Sequence, residues 1–114
     1  MRNPISPAAG LIGFMLMAAA SVTPAAAIDT INCARDKNAA ERTICGSERL
    51  QVLDAQVTEQ YADIMLDGHV KGPVKQAVQE SQRDFLGRRD ACGRDVQCLT
   101  EVMERRATRI NFYR

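Results

Sequence analysis

Residues 47–66 read SERLQVLDAQVTEQYADIML. Leu50, Leu53, Val57, Tyr61 and Ile64 recur at steps of three and four, which gathers them on one face of an α-helix. The flanks carry helix punctuation. Ser47 is a residue type whose hydroxyl caps an N-terminus. Glu48 stands in the first turn, where the helix dipole favours negative charge, and Gly68 closes the far end. The spacing predicts a helix over about residues 48–67. After residue 30 there is no alternating β-branched run and no hairpin dipeptide between such runs, so strands are not expected.

Outward from this helix the same signals repeat. Upstream, Asn38 followed by Glu41 fits a capping pattern and opens a short helix through about Cys45, with Gly46 as its stop. Downstream, His69 to Gly72 form a polar connection, and Pro73 suits the first turn of a third helix. Val74, Ala77, Val78, Ser81 and Phe85 give that helix a narrow stripe running toward Cys92 and Gly93. A fourth helix begins near Asp95 and carries Val96, Leu99, Met103 and Ile110, with Phe112 and Tyr113 at its end. Long helices joined by a short connection pack antiparallel. The expected fold class is all-α: a small antiparallel helical hairpin or bundle, one domain over residues 28–114.

Residues 1–27 have a different character. Arg2 is the only charge before Asp29, an apolar run spans Ala8 to Ala20, and Ala25-Ala26-Ala27 follow Pro24. That order of charge, apolar stretch and small residues is the pattern of a cleaved signal peptide. Cleavage is expected after Ala27, with Ala20 as a second site. The domain is therefore expected to be periplasmic or secreted, without stable membrane insertion.

Composition narrows the function classes. The 114 residues carry 15 Lys+Arg against 14 Asp+Glu, which excludes the strongly basic footprint of a nucleic-acid binder. One His, no Trp and five aromatics (two Tyr, three Phe) leave little material for a cofactor pocket, and none is expected. No Ser/His/Asp order, metal motif or phosphate-cradling glycine loop occurs, so catalysis is not expected.

The four cysteines form no Cys-x-x-Cys knuckle, and the single His stands alone in a connection, which argues against a metal. An even number in an exported chain indicates disulfides. Three pairings are formally open. Locality favours Cys33–Cys45 and Cys92–Cys98, since each pair flanks a turn.

Cys33, Thr43-Ile44-Cys45, Leu53-Asp54, Tyr61, Ser81-Gln82, Phe85-Leu86, Arg88-Arg89-Asp90, Cys92, Cys98-Leu99 and Arg106 fall in this order along the chain. As an ordered set they resemble the lysozyme inhibitor LprI-like family of small secreted bacterial domains. The resemblance spans essentially all of residues 32–113. It implies a small all-helical exported domain with paired cysteines, and inhibition of a lysozyme-type muramidase. Phe85 stands where the family usually has Trp, and Met103 where it usually has Tyr. Both keep an apolar bulk and lose a polar tip.

Two groups of polar residues are candidates for a role. Asp54, Arg89 and Arg106 are expected to form a structural network in which a carboxylate meets an arginine fork and locks the helices in register. His69 and Lys71 in the connection, and Arg94 between Cys92 and Cys98, are expected to contact a protein partner. The alternative function is a non-inhibitory periplasmic binding or scaffold module.

Overall fold

In the computed structural model the described residues are 30–35 and 37–113, so the segment read as a signal peptide, residues 1–27, lies outside them. Four α-helices follow one another: α1 (Ala39–Cys45), α2 (Glu48–Leu66), α3 (Gly72–Ala91) and α4 (Val96–Arg109). A 3-10 turn, Ile110–Tyr113, continues from α4. No strand occurs among the described residues.

The boundaries have local causes. Asn38 and Glu41 form a full capping box: the Asn38 side chain accepts from the Glu41 amide at 2.8 Å, and the Glu41 carboxylate accepts from the Asn38 amide at 3.2 Å. The Ser47 hydroxyl accepts from the Leu50 amide and starts α2. The Asp95 carboxylate accepts from the Cys98 amide and starts α4. Asp67 closes α2 as its C-cap, one residue short of the expected end. Gly93 alone among the described residues has a left-handed backbone, φ +57°, and turns the chain from α3 into α4.

Packing runs in two tiers. Ala40, Ile44, Leu50, Val57, Phe85, Leu99 and Met103 share one cluster, which joins all four helices. Tyr61, Ile64, Val78 and Ile110 form a second. The N-terminal half of α2 therefore meets the C-terminal half of α3 and the start of α4, and the far ends meet in the second tier. α3 runs antiparallel to α2, and α4 returns alongside α2. This is the expected bundle, with α1 closing one end.

The buried stripes carry more polar residues than an apolar reading allows. On α2 they are Leu50, Asp54, Val57, Tyr61 and Ile64, so Asp54 is buried where Leu53 was expected and Leu53 is only half-buried. On α3 they are Val78, Gln82, Phe85 and Arg89, whereas Ala77 is exposed and Ser81 half-buried. On α4 Val96 faces solvent, and Arg106 and Ala107 join Leu99 and Met103. Phe112 is 82% exposed rather than part of the core. α2 and α3 thus bury residues at alternating steps of four and three, the period of helices packed side by side, and α4 buries a wider face that includes the adjacent Arg106 and Ala107.

Both disulfides are local: Cys33–Cys45, with Cα atoms 5.7 Å apart, and Cys92–Cys98, with Cα atoms 5.6 Å apart. The first ties residues 30–35 onto α1, and the second clamps the end of α3 to the start of α4.

Candidate functional site

The three residues expected to form one network make three separate sets of contacts. Asp54 accepts a hydrogen bond from the Ile31 amide at 3.2 Å, so it fastens the N-terminal segment to α2. Arg89 donates from Nε and Nη2 to Asp90, at 2.9 and 2.8 Å, and lies 3.8 Å from Glu41. Glu41 is therefore shared between the α1 capping box and the α3 arginine, a link that sequence reading missed. Arg106 stands apart from both. Its Nε and Nη2 donate to Gln82 Oε1 at 3.1 and 2.9 Å, and its Nη1 donates to Ser81 at 3.0 Å. Its guanidinium also lies over the Phe85 ring, 5.7 Å from the centroid. The Asp54–arginine fork expected from sequence is not formed. Asp54 is satisfied by a backbone amide, and Arg106 meets α3 instead of α2.

Burial pushes the Asp54 carboxyl above the usual aspartate range, against the lowering by the Ile31 amide and the Arg89 guanidinium; Glu41 adds to the rise. The sign of the linkage follows. A carboxyl whose folded pKa lies above its unfolded value of 3.8 contributes stability below that value, and loses it as pH rises through the folded pKa. Asp54→Asn keeps an acceptor for the Ile31 amide and removes the titration. The variant is expected to gain stability relative to the parent as pH rises from about 4 to 7. Melting temperatures across that range test this, and a constant difference between the two proteins would disprove it.

The residues expected to meet a partner lie at opposite ends of the bundle. His69 and Lys71 sit in the connection between α2 and α3, beside the second core tier. Arg94 sits beyond the other end of α3. Twenty residues of helix separate the two ends, about 30 Å at 1.5 Å per residue. His69 is fully exposed, its backbone amide donates to the Asp67 carboxylate at 2.8 Å, and its ring lies 3.3 Å from the same carboxylate. Chiefly through that backbone bond, the Asp67 carboxyl is held below its usual range. Lys71 is the N-cap of α3 and makes no side-chain capping bond. Arg94 is exposed in the ring closed by Cys92–Cys98, and the neighbouring Asp95 is committed to capping α4. Among the described residues no group of three His, Cys, Asp or Glu is placed to hold a metal.

Gln82 and Glu41 complete these clusters; sequence reading gives Glu41 only its capping role and Gln82 no contact of its own. The signal for Gln82 was available: it stands four residues after Val78 and three before Phe85, on the register of the buried stripe.

The sequence model of the lysozyme inhibitor LprI family matches residues 32–110, from the segment tied by Cys33–Cys45 to the last residue of the second core tier. The chain belongs to this family. No curated protein and no solved structure matches it. The LprI match covers all four helices and both disulfides. Among the described residues of this LprI chain, no helix is long and apolar enough to cross a membrane.

Proposed function

We propose that this LprI-family protein is exported by cleavage after Ala27, acts outside the cytoplasm, and inhibits a lysozyme-type muramidase without catalysing a reaction itself. The observation that carries this reading is the family match over residues 32–110. Muramidase catalysis uses two carboxyl groups in an accessible cleft, so an inhibitor has only to occupy that cleft. A cation on a rigid protrusion suits this task, because rigidity lowers the ordering cost of binding.

Arg94 fits that description best. Its guanidinium can grip a carboxylate with two parallel hydrogen bonds, and it stands in a short ring held by a disulfide. With Asp95 engaged at the α4 cap, the adjacent negative charge is already occupied. At the other end, His69 lies against Asp67, which leaves Lys71 as the second candidate.

The oxidised domain is expected to slow cell-wall hydrolysis by a muramidase, and Arg94→Ala to weaken inhibition about tenfold or more, as loss of a charge-assisted pair does. Lys71→Ala, about 30 Å away, is expected to have a much smaller effect. Both variants should keep the parent's helical spectrum and melting temperature. The reverse ranking would move the contact to the α2–α3 end with His69 and Lys71. Inhibition of no muramidase by folded, oxidised protein would favour the non-inhibitory binding module.

A further inference from the structure

Arg106 is a buried cation with no carboxylate at ion-pair distance among the described residues, Asp84 being the acid whose charge reaches it. Its relative exposure is 7%, and its hydrogen-bond partners, Gln82 and Ser81, are both neutral. Burying a charge is unfavourable unless an opposite charge or a full set of hydrogen bonds replaces the lost water. Here the hydrogen bonds go to neutral groups alone, and Arg106 lines a groove of about 240 Å³ between α3 and α4. Arg88, Arg105 and Arg109 line the same groove. Arg105 and Arg109 stand one helical turn apart on α4, and neither has a carboxylate at ion-pair distance among the described residues. Among the described residues Asp84 is the one carboxylate lining the groove, and it is engaged by Arg88 at 2.9 Å. Phe85, Val102 and Tyr113 supply the apolar wall. Among the described residues four arginines thus line one concavity with one acid, in a chain whose charges nearly cancel overall.

We propose that this groove binds a small oxyanion-bearing molecule, a sugar phosphate or sugar acid, with its anionic group on Arg105, Arg106 and Arg109. Guanidinium groups match phosphate and carboxylate oxygens in geometry as well as charge. The volume favours a small ligand, since pockets for drug-sized molecules begin at about 300 Å³. The apolar wall suits the face of a ring carrying the anion. The site lies on the α3–α4 face, apart from Arg94 and Lys71, and it does not rest on the inhibitory reading.

The test uses the full oxidised protein with glucose 1-phosphate, glucuronate and neutral glucose as probes, followed by amide chemical shifts and by melting temperature. Either anion is expected to shift resonances of residues 81–88 and 102–113 in a saturable way and to raise the melting temperature with concentration. Added salt should weaken the effect, and glucose should do neither. A response to glucose 1-phosphate alone assigns a phosphate site, and a response to glucuronate alone a carboxylate site. Arg105→Gln/Arg109→Gln alters two exposed residues, should fold as the parent does, and is expected to weaken binding at least tenfold. Unchanged binding by that variant would overturn the proposal, as would equal shifts with glucose. A response only to an acidic peptide, with none to either sugar anion, would overturn it in favour of a protein-docking surface.

Discussion

Replacing Cys33, Cys45, Cys92 and Cys98 together by Ser is expected to leave a chain largely unfolded at 37 °C. The bridges close short loops, with sequence separations of 12 and 6. By the chain-entropy relation such loops contribute about 3 and about 2 kcal/mol respectively. Their sum of about 5 kcal/mol approaches the whole stability of a small domain. Cys33–Cys45 should matter more, because its loss also frees Ile31, which packs against the main core and donates its amide to Asp54. The check is urea unfolding followed by circular dichroism at neutral pH, comparing the parent, each double Ser variant and the quadruple variant. A quadruple variant with the parent's midpoint would show that the helical core suffices alone.

Gln82→Leu is expected to cost about 3 kcal/mol, more than most single substitutions at polar positions. The substitution removes the oxygen to which Arg106 Nε and Nη2 both donate and leaves Ser81 as the remaining hydrogen-bond partner. The loss reflects an uncompensated buried charge rather than lost packing, since leucine nearly fills the glutamine's volume. Arg106→Met in the same background should therefore recover most of the stability, to within about 1 kcal/mol of the parent. Gln82→Glu places a carboxylate opposite the guanidinium and should be at least as stable as the parent at neutral pH. A double-mutant cycle reads the coupling directly, and additive single effects would mean that the two residues do not act as a pair. The same cycle bears on the groove, because Gln82→Glu supplies from within the protein a negative charge that a bound anion would supply from outside. That variant should bind either sugar anion more weakly than the parent.

Much of this fold was legible one helix at a time. Asn38 with Glu41, Ser47, Pro73 and Asp95 mark helix starts through hydrogen bonds or ring geometry confined to a single turn. Their effect does not depend on the rest of the chain. The cysteine pairing was legible for a related reason: partners close in sequence and separated by a turn meet whatever the helices do elsewhere. Leu50, Val57, Tyr61 and Ile64 were readable as core because apolar side chains bury themselves against any apolar surface.

The polar half of the interior was decided by tertiary structure. Gln82, Arg89 and Arg106 are buried because another group stands ready to bond each of them: Gln82 and Arg106 serve one another across α3 and α4, and Arg89 has Asp90 and Glu41. Ala77, which hydrophobicity favours, is exposed because its direction on α3 points away from the bundle. The arginine groove belongs to the same class. Arg88 comes from α3 and Arg105, Arg106 and Arg109 from α4, and only the packing of those helices makes them one site. Helix starts and the favoured cysteine pairing are legible in the chain alone, since those interactions are local and apolar burial is indifferent to its partner. Tertiary structure decided which charges lie inside and which face outward, because a buried polar group is stable only where a specific partner meets it.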